Sequence, residues 1–211
     1  MILEHLAVGL FQCNCLILGC ETTHDAIVVD PGDEADRILE ILGHRGLKLK
    51  AILHTHAHLD HVGATHQLQS ITGASVALHG EDLFLHSNLK MQAEFLGLPV
   101  PTPARIDHFL KDKEEVKVGD LQTQILHTPG HTPGSICFHF PGEREILLTG
   151  DTLFAGSIGR TDLWGGSYDD ILNSVRQLME FKDETEVFPG HGPVTTIAQE
   201  RNSNPFVQEL F

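Results

Sequence analysis

The segment LHTHAHLDH, residues 53–61, holds four groups able to ligate a metal: His56, His58, Asp60 and His61. It follows an apolar run and opens onto a helical pattern. In an extended stretch, residues two apart point the same way, so His56 and His58 converge on one ion. Where the chain turns into the helix, Asp60 and His61 are delivered to a neighbouring position. Imidazole nitrogens with a carboxylate oxygen suit Zn²⁺, and also Fe or Mn. Three more ligand-type residues stand in turns after strand patterns: His131 in TPGHTPGS, Asp151 after LLTG, and His191 in FPGHGP. Glycine and proline on either side let the backbone bend sharply enough to aim one side chain inward. Together these supply five histidines and two aspartates, the complement for two adjacent ions. The chain has 15 histidines in 211 residues, about three times ordinary usage.

The elements that must position these groups read as alternating strands and helices. Strand patterns cover 15–18, 26–30, 49–54, 75–78, 122–126, 136–140 and 145–149. Helical spacing covers 33–42, 61–72, 82–98 and 167–181. The last of these carries Ser167 and Asp170 as a capping-box pair and an apolar face of Ile171, Leu172, Val175, Leu178 and Met179. No linker or composition shift interrupts the alternation. A single layered α/β domain over 1–211 is therefore expected, with sheets covered by helices. Periodicity alone does not choose among layered folds.

Hydrophobic residues make up 41% and charged residues 20%, an ordinary globular balance. The net charge of −15 repels phosphate backbones and anionic lipid surfaces, which argues against nucleic-acid and membrane partners. No apolar stretch approaches the roughly 20 residues needed to span a bilayer. The opening MILEHLAVGLFQCN has no basic segment ahead of an apolar one, so no secretory leader is expected. Cys13, Cys15, Cys20 and Cys137 read as reduced thiols in a cytoplasmic protein, with Cys13 and Cys15 as small buried hydrophobes. Nothing in the sequence speaks to oligomeric state.

HTHAHLDH, GHTPGS, TGD and PGHG, in this order and at these separations, closely resemble the metallo-β-lactamase superfamily, and within it the short glyoxalase II-like (hydroxyacylglutathione hydrolase-like) hydrolases. The resemblance runs from FQCNC and VVDPGDE to ERNSNPF, without the C-terminal helical domain of glyoxalase II proper. It implies a four-layer αββα sandwich with metals in a cleft at one edge. Carried over residue by residue, it assigns His56, His58 and His131 to a first metal and Asp60, His61 and His191 to a second, with Asp151 bridging. Two divalent ions, zinc first with iron or manganese as alternatives, lower the pKa of a shared water toward about 7. The implied reaction is attack of that hydroxide on a thioester such as S-lactoylglutathione, with Asp60 orienting it. A thioester is favoured because its thiolate leaves without prior protonation. Arg160 is placed where it could clamp a glutathione carboxylate, or pair on the surface with Asp162. His54, His127, Asp30 and Thr128 are candidate supports for the ligands. The alternatives are a mononuclear iron persulfide dioxygenase and a broader esterase or lactonase of the same fold.

Overall fold

Strand β2 (Cys13–Gly19) is buried at every residue, because both of its faces are covered. Cys13, Cys15 and Ile17 pack toward one apolar cluster, while Leu16 and Leu18 pack into another. That double burial explains why the strand reads as a continuous apolar run rather than an alternation. The computed structural model describes residues 1–210. Its first sheet is β1 (Ile2–Val8), β2, β3 (Asp25–Val29), β4 (Lys48–Leu53), β5 (Ser75–His79) and β6 (His108–Leu110), in that spatial order. The pairings β1–β2 and β2–β3 are antiparallel, and β3 to β6 run parallel.

The second sheet contains β7 (Glu115–Val118), β8 (Leu121–His127), β9 (Ile136–Phe140) and β10 (Ile146–Gly150). A small hairpin, β11 (Leu153–Phe154) with β12 (Ser157–Ile158), precedes the last two strands, β13 (Glu186–Pro189) and β14 (Thr195–Thr196). The order across this sheet is β14-β13-β10-β9-β8-β7. Between the sheets, Leu16, Leu18, Ile27 and Val29 meet Ile125, Phe138, Ile146 and Leu148. On the outer face of the first sheet lie α1 (Ala35–His44), α2 (Leu59–Val62) and α3 (Thr65–Thr72); Ile38, Leu42 and Leu68 pack there on Ile17 and Ile52. Next come α4 (Leu83–Ser87) and α5 (Leu89–Leu96), which join α2 in a separate apolar cluster with Ala57. Outside the second sheet, α6 (Tyr168–Leu178), α7 (Ile197–Ser203) and α8 (Pro205–Gln208) bury Ile171, Val175, Ile197 and Val207 against Leu147 and Val187. The layers run helix, sheet, sheet, helix, as the resemblance implies.

Two expected helices are broken. The span 61–72 divides into α2 and α3 because the amide of Ala64 is donated to the carbonyl of Pro31, 3.0 Å away, pinning the chain to the turn after β3. The span 82–98 divides into a turn of 3₁₀ helix over Gly80–Asp82, then α4 and α5. Asn88 separates them by donating its side-chain amide to the carbonyl of Phe84. At α6 the Ser167 hydroxyl accepts the amide of Asp170, the half of the capping box that caps the helix. Among the described residues, no helix is long and apolar enough to cross a membrane.

Phe138 is the largest side chain with no exposure and sits between the sheets. Replacing it with alanine is expected to cost about 3–5 kcal/mol of unfolding free energy, measured by urea denaturation.

Candidate metal centre

The loops that follow β3, β4, β8, β10 and β13 leave the C-terminal ends of their strands and meet at one edge of the sandwich. They carry Asp30, then His56 to His61, His131, Asp151 and His191. All seven ligand-type residues expected from the sequence come together there. His56, His58 and His131 form one trio, and Asp60, His61 and His191 a second, with the candidate ligand atoms of each within 4.8 Å. Asp151 stands between them: its Oδ1 is 3.4 Å from His61 Nε2 and its Oδ2 3.5 Å from His131 Nε2. Gly190 makes room for this carboxylate, since a Cβ there would lie 2.2 Å from Asp151 Oδ1.

The spacing fits bound ions. Two nitrogens on one tetrahedral zinc lie about 3.3 Å apart. Here His58 Nδ1 is 3.1 Å from His56 Nε2 and 2.9 Å from His131 Nε2, and His61 Nε2 is 3.2 Å from His191 Nε2. The buried Asp151 Oδ1, which lies among the ligand atoms of the cluster, has no hydrogen-bond partner. Such orphaned polar atoms are costly in a protein interior unless something cationic or hydrogen-bonding meets them.

Four of the five imidazoles have their orientation set from behind. The Nδ1–H of His131 donates to the carbonyl of Arg160 at 2.7 Å, and that of His191 to the carbonyl of Phe11 at 3.0 Å. His61 donates to Asp30 Oδ2 at 3.1 Å, and His56 to the Thr55 hydroxyl at 3.1 Å. Each bond leaves the Nε2 lone pair facing the cleft, the arrangement that fixes a ligating tautomer. His58 faces the cluster through Nδ1 instead.

Electrostatics divide the histidines: burial favours the neutral form of His56 and His58, whereas burial opposes the charge on His61 and His191 but the acidic groups around them outweigh it and raise both. Burial, with repulsion from His131, holds His58 down to about 3, and burial, with repulsion from His61, holds His56 well below the ordinary imidazole range. Asp60 lies well below the ordinary carboxylate range: burial opposes ionisation, but His61 and His191 outweigh it. Burial likewise opposes the charge on Asp30, yet the neighbouring imidazoles of His54 and His61 outweigh it and bring it down to about 2. Burial pushes the Cys13 thiol up to about 12, so it stays neutral beside His61, 3.5 Å away.

Of the expected supports, Asp30 has the largest part. It adopts a left-handed backbone conformation (φ 51°) that aspartate tolerates better than most residues. From there it accepts the amide and the hydroxyl of Thr55 at 2.8 and 2.6 Å as well as His61. His127 donates to the carbonyl of Pro133 and so shapes the loop bearing His131. Thr128 hydrogen-bonds the Thr152 hydroxyl beside Asp151. His54 meets Thr65 at 3.1 Å and approaches Asp30 at 3.7 Å. Arg160 lines the cleft, but both donors of its guanidinium fork go to Asp162, at 2.7 and 2.8 Å.

Three supports were not foreseen. Asp82 accepts the amide of Ala57, the hydroxyl of Thr132 and the amide of Gly134, tying the loop of His56 and His58 to that of His131. Asn14 donates to the carbonyls of Pro189 and Gly192 on either side of His191. Gln92 accepts from Leu59 and donates to Ala57 and Leu85, fixing the entry to α2.

Residues 8–191 match the family described as the metallo-beta-lactamase superfamily. The chain is 40% identical to a protein of Haemophilus influenzae named hydroxyacylglutathione hydrolase GloC, over 98% of each chain. Among solved structures it resembles the BLEG-1 B3 metallo-beta-lactamase (TM-score 0.91, 34% identity, 98% of this chain and 99% of that one). It also resembles TTHA1623 in a di-iron-bound form (TM-score 0.88, 37% identity, 96% and 99%).

Asp30→Asn removes the charge behind His61 but keeps a polar side chain of the same size. Zinc affinity is expected to fall about 10–100-fold, read by competition with a chromophoric chelator, while circular dichroism stays native.

Proposed function

Because the chain belongs to the metallo-beta-lactamase superfamily, we propose that it is a dinuclear-metal thioester hydrolase acting on S-lactoylglutathione or a related glutathione thioester. The observation that carries this reading is the pair of trios with one carboxylate between them. His56, His58 and His131 would hold one divalent ion, Asp60, His61 and His191 the other, and Asp151 would touch both. The likeness to a hydroxyacylglutathione hydrolase supports the substrate class. Zinc is the proposed metal from the nitrogen-rich ligand set; the di-iron neighbour makes iron the alternative. Four free cysteines fit a reducing compartment, which makes the cytoplasm the proposed location.

When bound, the two ions supply Lewis acidity, polarising the carbonyl and acidifying a water toward neutral pH. The protein's own groups do the rest. Asp60, held ionised, accepts a hydrogen bond from the attacking water and orients it. The neutral state of His56 and His58 keeps their lone pairs available. Phe11, Phe95 and Trp164 give the cleft an apolar wall beside the reacting carbonyl. The leaving thiolate needs no proton donor. Arg160 would receive a carboxylate of the thiol by exchanging it for Asp162. That exchange is inexpensive because the existing pair is solvent-exposed. A β-lactam is a second reading, favoured by the likeness to BLEG-1.

Elemental analysis and S-lactoylglutathione hydrolysis on one preparation test the proposal. Two metals per chain with turnover are expected, and His131→Ala or Asp151→Ala should each lower kcat/KM more than about 100-fold. Turnover surviving either substitution refutes the assigned site. One iron per chain with oxygen uptake on glutathione persulfide would replace hydrolysis with dioxygenation, and turnover of a chromogenic cephalosporin alone would favour the β-lactam. Arg160→Ala is expected to raise KM about tenfold with kcat nearly unchanged.

A further inference from the structure

Beside the metal-centre cleft, which encloses about 310 Å³, lies a second cavity of about 250 Å³. Leu10, Phe11, Leu59, Leu98 and Val100 wall it. Phe11 and Asp60 line both spaces, so the second adjoins the first across these two side chains. Trp164 and Arg160 stand in the cleft beside His58 and His131, at the other trio. The mouth is hydrocarbon facing water: Leu10 is 76% exposed, Phe95 66% and Val100 52%. An apolar patch of this kind, adjoining a reactive centre, marks a binding surface.

The polar groups on these walls are spent or acidic. The amide of Gln92 is used in full within the protein, and the Arg160 fork is held by Asp162. The second cavity adds the carboxylates of Asp33 and Asp60. Among the described residues, no lysine or arginine lines it. An anionic acyl group placed there would meet acids and no cation. A hydrocarbon chain would meet no such repulsion and would bury the exposed apolar walls.

We propose that this second cavity is the acyl subsite and selects thioesters of hydrocarbon carboxylic acids. The acyl chain lies among Leu10, Leu98 and Val100, and the thiol portion extends past Trp164 and Arg160. The inference rests on the thioester-hydrolysis reading above and deepens it. In the step concerned, the oxygen of water bonds to the acyl carbon and the C–S bond breaks with its electron pair on sulfur. The products are a carboxylate, a thiol and one proton.

The chain contains a single tryptophan, and it lines the cleft, so its emission reports occupancy independently of turnover. Zinc-loaded protein is titrated with ketone analogues of acetyl, butanoyl, hexanoyl and octanoyl N-acetylcysteamine, in which a methylene replaces the sulfur. Affinity is expected to tighten about fourfold per added methylene, and kcat/KM of the matching thioesters to follow. Leu10→Asp and Val100→Asp, both at exposed positions that leave the core intact, should flatten that dependence. Affinity that stays level or weakens with chain length, or a dependence that neither substitution alters, overturns the acyl subsite. Chain-length-dependent binding without hydrolysis of any thioester supports the subsite and refutes the reaction. Hydrolysis with no chain-length dependence does the reverse.

Discussion

Imidazole nitrogens about 3 Å apart in a largely buried cluster cannot all be protonated, and their lone pairs cannot satisfy one another. A chain that brings five histidines and two aspartates to such distances must hold them there against their own repulsion. It does so with a core on each side of each sheet. The strands that end at the site are anchored by the inter-sheet cluster around Phe138 and by the helix-facing clusters outside it. The cost of concentrating ligands is thereby spread over the whole sandwich. A cation arriving at the site would relieve the repulsion that the fold otherwise sustains.

Rigid sheets bring the loops close, but short polar ties set their final distances. Asp30, Asp82 and Asn14 each join two segments far apart in the chain. Each does so by accepting or donating along backbone groups that the loops would otherwise leave unpaired. This is economical, because loops that bend toward a ligand cannot pair their amides and carbonyls as a strand would. The same bond that satisfies a loop also locks its position. Asp30 shows it best: one carboxylate accepts the amide and the hydroxyl of Thr55 and orients His61.

The seven ligand-type residues were legible because histidine and aspartate between glycine and proline, after apolar runs, have a chemical meaning that survives without coordinates. Their ties were not. Asn14 reaches Gly192 across 178 positions and Asp82 reaches Thr132 across 50, and a lone Asn or Asp leaves no local pattern. The breaks at Ala64 and Asn88 were also hidden, since helical spacing continues through both. They arise from tertiary or side-chain hydrogen bonds that periodicity does not register. The first strand went unread because its residues alternate poorly: Ile2, Leu3 and Glu4 are all half-buried. The number of layers came with the family resemblance, as alternating strands and helices fit several arrangements.

Phe11 and Arg160 share a division of labour. In each, the main-chain carbonyl steadies an imidazole of the metal centre while the side chain faces the mouth of the cleft. A carbonyl is common to every amino acid. Substitution at either position can therefore reshape what enters without touching what reacts. Substrate preference and metal-centre architecture can thus drift apart over evolutionary time: one scaffold can acquire new specificities by single replacements at its rim, its catalytic apparatus inherited intact.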